Sequence, residues 1–221
     1  LDKPFLRAGE QGRLAVNAVN FFGPPAAGRN YEVEIQLKAT SFRPKKYPKF
    51  DFSIENQGLS LDKVVRQGKL DAAGNAVENY EVPAMFGNSG ILKADFYTTV
   101  FDETGRPVSR TTSANVFTQP VFFGIGDDGY WYYALNQPVK FPLLALDKDE
   151  KIVSGAKAVV KMVKHEYRTV RSKSGSYFRY ESQEQDKLLS EQTITVSGEG
   201  TSYSFVPRSP GNYEIRVSLP G

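Results

Sequence analysis

Apolar and polar residues alternate along much of the chain. In Tyr31-Glu32-Val33-Glu34-Ile35-Gln36-Leu37-Lys38 every second residue is apolar and its neighbours are charged or amide, the pattern of a strand with one face buried. A sheet with one wet face is antiparallel. Similar runs fall at residues 13–21, 91–96, 139–146, 158–163, 190–196 and 212–217. Between them stand turn residues, among them Phe22-Gly23-Pro24-Pro25-Ala26-Ala27-Gly28, the stretch 101–109 with Asp102, Gly105 and Pro107, and Asp147-Lys148-Asp149-Glu150-Lys151. Glycine reaches positive φ there without penalty and proline presets φ near −65°. No segment of about twelve residues spaces its apolar positions at i, i+3 and i+4 behind a cap, so no helix is predicted.

The order of these pieces repeats. Residues 64–71, a turn at Ala72-Ala73-Gly74-Asn75, a return to Val82-Pro83 and, after Gly90, the strand Ile91-Leu92-Lys93-Ala94-Asp95-Phe96 form the first copy. Residues 190–196, a turn at Ser197-Gly198-Glu199-Gly200, a return to Val206-Pro207 and, after Gly211, the strand Asn212-Tyr213-Glu214-Ile215-Arg216-Val217 form the second. One order recurring about 125 residues apart predicts two copies of an all-β module. The strand pattern breaks at Thr118-Gln119-Pro120, which divides the chain into modules at 1–118 and 119–221. Each is expected to be an immunoglobulin-like antiparallel sandwich of about seven strands. The connection has no Gly/Ser spacer, so the modules are expected to tumble as one body.

Composition narrows the functional classes. The 221 residues suffice for two cores, and 13% aromatics with 19 Gly and 13 Pro suit short strands and tight turns. Without cysteine there is no disulfide, thiolate nucleophile or Cys-bearing metal site, and the compartment stays open. A net charge of +3 steers the protein neither to nucleic acid nor to anionic lipid. No apolar run approaches the 18 or so residues of a membrane helix, and no signal peptide opens the chain. The abrupt opening on Leu1-Asp2-Lys3-Pro4 and close on Leu219-Pro220-Gly221 read as a piece of a longer protein.

Candidate chemistry is sparse. His165, the only histidine, is flanked by Lys164, Glu166 and Tyr167 and reads as a strand-face residue; no Gly-x-Ser-x-Gly elbow supplies a nucleophile. The acidic turns at Asp102-Glu103 and at 147–150 could offer Ca²⁺ ligands at alternate positions, but Lys148 and Lys151 intervene and no Gly-centred loop follows. Hairpin turns are the expectation. Gly124-Ile125-Gly126 lacks the third glycine and the helix of a dinucleotide loop. No catalytic residue, cofactor or metal site is expected.

The longest irregularity is a predicted hairpin over residues 161–182, with arms longer than the usual five or six residues and therefore projecting from the sandwich. It interleaves Arg168, Arg171, Lys173 and Arg179 with Tyr167, Tyr177, Phe178 and Tyr180. Such a ribbon could grip single-stranded nucleic acid by stacking and charge, or be stiffened by cross-strand aromatic and arginine pairs and dock on a neighbouring domain. The docking reading, through Tyr167, Arg168, Arg171, Tyr177, Phe178, Arg179 and Tyr180, is adopted, with no nucleic-acid partner. The run Gly129-Tyr130-Trp131-Tyr132-Tyr133 is read as a core or domain-interface cluster, against a sugar-stacking platform.

Several phrases together carry a resemblance. Val19-Asn20-Phe21-Phe22-Gly23-Pro24-Pro25-Ala26-Ala27-Gly28, then Phe42-Arg43-Pro44-Lys45-Lys46-Tyr47-Pro48-Lys49-Phe50-Asp51-Phe52, the domain opening Val121-Phe122-Phe123-Gly124-Ile125 and the closing strand Pro210-Gly211-Asn212-Tyr213-Glu214-Ile215-Arg216-Val217 resemble tandem macroglobulin-like domains of bacterial alpha-2-macroglobulins. By position they are similar to the fifth and sixth, upstream of the bait region. The resemblance implies a protease trap, in which a protease cuts the bait, the molecule rearranges and, in many members, a Cys-Gln thioester captures the attacker. With no cysteine here, and Ser190-Glu191-Gln192 the nearest echo of that motif, the chain is expected to be scaffold without chemistry of its own. Bait and thioester are expected outside it. The implied partners are neighbouring domains of the parent chain and, through the full-length inhibitor, target proteases. A periplasmic or cell-envelope setting is implied, with any membrane anchor lying outside residues 1–221. The competing reading is a surface adhesin or carbohydrate-binding sandwich, and an enzyme comes last.

Overall fold

The computed structural model describes residues 1–54, 61, 63–126, 129–130, 132–174, 177–198 and 200–220. It is built of strands, with one short 3₁₀ turn at Ala84–Phe86. The chain divides into two compact units: Leu1–Phe42 with Ser53–Pro120, and Arg43–Phe52 with Val121–Gly221. The excursion Arg43–Phe52 is therefore part of the second unit, although it lies inside the sequence of the first.

The first unit is a sandwich of a five-stranded and a two-stranded sheet. The larger has the order β1 (Phe5–Arg7), β8 (Pro107–Phe117), β7 (Ile91–Phe101), β3 (Asn30–Thr40), β5 (Lys63–Lys69), and the smaller pairs β2 (Gln11–Asn17) with β6 (Asn75–Glu81). All these pairings are antiparallel except β1 on β8. The alternation read in the sequence is the burial pattern: Tyr31, Val33, Ile35 and Leu37 of β3 are buried, as are Leu92, Ala94 and Phe96 of β7 and Leu14 and Val16 of β2. Tyr80 of β6 meets Phe96 of β7 edge-on, ring centres 5.9 Å apart. Tyr31 lies across Gly68 of β5, where a Cβ would come within 2.6 Å of its hydroxyl. That hydroxyl donates to Glu78 on β6, tying the two sheets together.

The second unit pairs a four-stranded sheet, β13 (Ser202–Phe205), β10 (Val139–Leu146), β9 (Phe122–Gly126), β4 (Phe50–Asp51), with a three-stranded sheet, β12 (Tyr177–Val196), β11 (Ala156–Ser174), β14 (Asn212–Ser218). Leu143, Ala145, Ala158, Val160, Met162, Val196 and Tyr203 form its core, with Phe123, Ile125, Ile215 and Val217 packed against them. The opposite face of β9 and β10 carries Phe122, Leu144 and Leu146, all buried. Phe52, arriving from the excursion, covers Gly124 on that face so closely that a Cβ there would stand 2.4 Å from its ring.

The repeat seen in the sequence is one of topology. In the first unit β3 lies between β5 and β7, while β2 pairs with β6; in the second β11 lies between β12 and β14, while β10 pairs with β13. The connections that follow β5 and β12 do not close hairpins. They carry the chain from one sheet to the other, and the Val-Pro and Gly elements bring it back, an all-β arrangement of the immunoglobulin-like kind.

The acidic turns are built alike. Asp102 and Asp147 each accept two backbone N–H groups on Oδ1, from Thr104 and Arg106 and from Asp149 and Lys151, at 2.8–2.9 Å. Asp71 does the same for Ala73 and Asn75. The third residue after each aspartate has positive φ: Gly74, Gly105 and Glu150. Those backbone donors, Arg106 first, hold Asp102 below the usual carboxylate range. One oxygen of each carboxylate is thus committed to turn formation, as the hairpin-turn expectation for Asp102 and Asp147 requires.

Candidate functional site

β11 and β12 run 19 and 20 residues, so the ribbon starts inside the sandwich and continues well past it. Up to Met162 paired with Ser190, the even residues of β11 face the core. A bulge follows, with Val163 next paired to Leu188, and the register then holds to Ser174 opposite Tyr177. Because directly opposed residues share a face, this register sorts the seven docking candidates. Tyr167, Arg171, Phe178 and Tyr180 lie on the face turned away from the core, whereas Arg168, Tyr177 and Arg179 lie on the reverse face. The structure brings the first four together and separates the other three. Arg171 stacks on the Phe178 ring at 3.5 Å and stands directly opposite Tyr180, the cross-strand cation–π arrangement expected of a stiff ribbon. Tyr167, Phe178 and Tyr180 are all more than half exposed.

On that same face, at the root of the ribbon, His165 lies opposite Asp186 of β12. Its side chain is about four-fifths covered. Nδ1 is 2.8 Å from both Glu184 Oε1 and Asp186 Oδ1, and Nε2 is 3.2 Å from Glu214 Oε2 on β14. Arg216 donates at 2.7 Å to Asp186 Oδ2 and at 2.7 Å to Glu214 Oε2. The Arg216 guanidinium, and after it the His165 ring, hold the Asp186 carboxyl below its usual range. Glu214 and then Asp186 push the guanidinium upward. Sequence reasoning found His165 and missed its partners. Glu184 and Asp186 have strand spacing and share one face, but only the register across three strands sets them beside the ring.

The first unit has a different charged cluster. Asp95 of β7 is 5% exposed, the only buried charged residue among those described. It accepts from Lys38 Nζ at 2.8 Å and Ser113 Oγ at 2.7 Å, and lies 3.1 Å from Lys93 Nζ. Those groups, Lys38 first, hold its carboxyl far below the usual range. Every partner stabilises the anion, which suits a structural ion cluster and not an acid–base catalyst.

Other singled-out residues are also accounted for. Ser190 hydrogen-bonds the Tyr203 hydroxyl at 2.6 Å beside the core and so has a structural place. Tyr130 and Tyr132 are exposed and so are not core residues, while Tyr133 meets Phe141 edge-on at 6.1 Å. Trp131, Gly175, Ser176 and Glu199 lie outside the described residues.

Comparison with known proteins gives two adjoining matches in order. The description "Bacterial Alpha-2-macroglobulin MG5 domain" matches residues 1–117, and "Bacterial macroglobulin domain 6" matches residues 124–221. The chain belongs to the bacterial alpha-2-macroglobulin family. A curated alpha-2-macroglobulin homolog of Yersinia pestis is 24% identical over 209 residues, 91% of this chain and 10% of that protein. The fold is similar to native Escherichia coli alpha-2-macroglobulin, with TM-score 0.72, 17% identity and coverage of 99% of this chain and 15% of that one. It is also similar to Salmonella alpha-2-macroglobulin reacted with methylamine, with TM-score 0.71, 16% identity and the same coverage. These two macroglobulin-like sandwiches thus span a small part of the relatives they match.

Proposed function

We propose that residues 1–221 are a non-catalytic scaffold of a bacterial alpha-2-macroglobulin-type endopeptidase inhibitor, positioning bait and thioester domains located elsewhere in the parent protein. The observation that carries this reading is the pair of consecutive family matches, fifth domain then sixth, over two units that share a three-strand order and a second strand pair. Solved relatives include Escherichia coli alpha-2-macroglobulin activated by porcine elastase, which supports a protease as the ultimate target. Asp95, the one buried acid among the described residues, is held as an anion by its neighbours. The setting is the periplasm or cell envelope.

Within that scaffold the outer ribbon face, Tyr167, Arg171, Phe178 and Tyr180, docks on a neighbouring domain of the same parent chain. Three exposed rings and one stacked guanidinium on a single face make an amphipathic patch suited to a protein surface. Arg168, Tyr177 and Arg179, on the reverse face, contribute less. Purified 1–221 should leave trypsin and elastase fully active at equimolar ratio. In the full-length inhibitor, alanine at Phe178 and Tyr180 should loosen the uncleaved state, read as faster bait cleavage or altered electrophoretic mobility. Stoichiometric inhibition by 1–221 alone would refute the scaffold reading. Salt-sensitive binding of an oligonucleotide to the ribbon would refute docking.

A further inference from the structure

The cluster around His165 sets carboxylates at both nitrogens of one imidazole ring. Here three carboxylate oxygens approach its two nitrogens: Glu214 at Nε2, and Glu184 and Asp186 at Nδ1. Nδ1 stands 2.8 Å from each of two carboxylate oxygens, so one ring nitrogen and two anionic oxygens converge on a single spot. Arg216 pairs with two of these carboxylates, Asp186 and Glu214, and the ring is largely withdrawn from water. A cation on the Nδ1 side would be coordinated by all three of these atoms.

The surroundings match the way proteins support a metal. A ligating histidine donates its other ring N–H to a carboxylate, which fixes the tautomer and raises ligand basicity; Glu214 stands at that position. Ligating carboxylates are themselves hydrogen-bonded. Arg216 holds Asp186 by Oδ2, leaving Oδ1 turned to the ring. We propose that His165 Nδ1, Glu184 Oε1 and Asp186 Oδ1 form a divalent-metal site of the zinc class, supported by Glu214 and Arg216.

The three ligand atoms already lie within 4.8 Å of one another. Tetrahedral zinc with ligand distances of about 2.0–2.2 Å spaces its donors about 3.3–3.5 Å apart, so each 2.8 Å contact opens by only about half an ångström. One imidazole and two carboxylates, with water in the fourth position, suit zinc better than calcium, which takes oxygen ligands. The ligands join β11 to β12 where the ribbon leaves the sandwich. The bound ion would stiffen that root and fix the direction of the Tyr167, Phe178 and Tyr180 face. The site itself does not depend on the protease-trap reading.

The single histidine makes the test direct, because in a protein without cysteine any imidazole signal is His165. The metal-stripped 221-residue protein, labelled with ¹⁵N at histidine, is titrated with Zn²⁺ near neutral pH and followed by imidazole NMR and calorimetry. The expected result is one equivalent bound, with Nδ1 shifting to a metal-coordinated position and Nε2 keeping its proton. His165→Gln should abolish binding, Glu184→Gln and Asp186→Asn should each weaken it at least about tenfold, and Glu214→Gln by about 10–100-fold. Unchanged far-UV spectra would show that the variants fold. No ring response up to about 1 mM Zn²⁺ would overturn the proposal. So would a doubly protonated ring that takes up no metal, or full binding by His165→Gln, which would place the ion on surface carboxylates.

Discussion

Replacing Gly124 with alanine should detach the excursion Arg43–Phe52 from the second unit. The new Cβ would stand 2.4, 2.6 and 2.8 Å from three Phe52 ring atoms, well inside van der Waals contact, and the opposing side is sheet backbone that cannot retreat. The buried Phe52 ring must therefore move. If it is expelled, the loss approaches that of a buried phenylalanine truncated to alanine, about 3–5 kcal/mol; if it only tilts, overpacking costs about 1–3 kcal/mol. Alanine's better strand entropy returns about 0.5–1 kcal/mol, leaving a net loss of about 2–4.5 kcal/mol on expulsion and at most about 2.5 kcal/mol on tilting. The excursion holds β9 through just two residue pairs, Phe50 with Gly126 and Asp51 with Ile125, so local amide exchange at Ile125 and Gly126 should rise with the loss. A double-mutant cycle with Phe52→Ala isolates the contact. Once the ring is gone Gly124→Ala has nothing to meet, so the double variant should be at least as stable as Phe52→Ala alone, a coupling of about 2 kcal/mol or more in denaturant unfolding of the second unit. Losses that add to within about 0.5 kcal/mol would refute the contact.

Asp95→Ala should cost the first unit about 2–3 kcal/mol, less than a fully buried pair because Lys38 and Lys93 are about half exposed. The folded Asp95 carboxyl lies far below its unfolded value of about 4, so its contribution is complete above that pH and drains away below it; acid titration of the Asp95→Asn protein should show a shallower fall in stability. Tyr31 behaves oppositely: burial, and then its bond to Glu78, push its hydroxyl up to about 12. Stability should hold below the unfolded value of about 10 and fall as pH rises toward 12, a loss that Tyr31→Phe removes; an unchanged alkaline midpoint would contradict this. Asp147→Ala, deleting an acceptor of two backbone N–H groups, should lower stability by about 1 kcal/mol and Asp102→Ala by a similar amount, while Asp149→Ala should change it little.

The local sequence determined the elements and their faces. Alternation marks which residues of β3, β7 and β14 point inward, because a strand's side chains change side at every residue whatever its partner. Turn chemistry at Asp71, Asp102 and Asp147 is set by side chains bonding their own backbone two and four residues on, so it too is legible locally. The order of pieces also disclosed the repeat. Period two, however, carries no information about which strand lies alongside. Hence the turns at 72–75 and 197–200 could be recognised without its being evident that the connections after β5 and β12 cross between sheets. The ring of Phe52 meets Gly124 across 72 positions of sequence, and nothing near either residue announces the contact, so a division at one point of the chain was the natural reading. Only tertiary structure assigned Arg43–Phe52 to the second unit. The same limit applied to the functional face. Composition singled out the ribbon, but its register past the bulge decided that Tyr167, Arg171, Phe178 and Tyr180 share a side and Arg168, Tyr177 and Arg179 do not. It also gathered Glu184, Asp186 and Glu214 around His165, since a one-residue slip of an antiparallel pair turns every side chain to the opposite face.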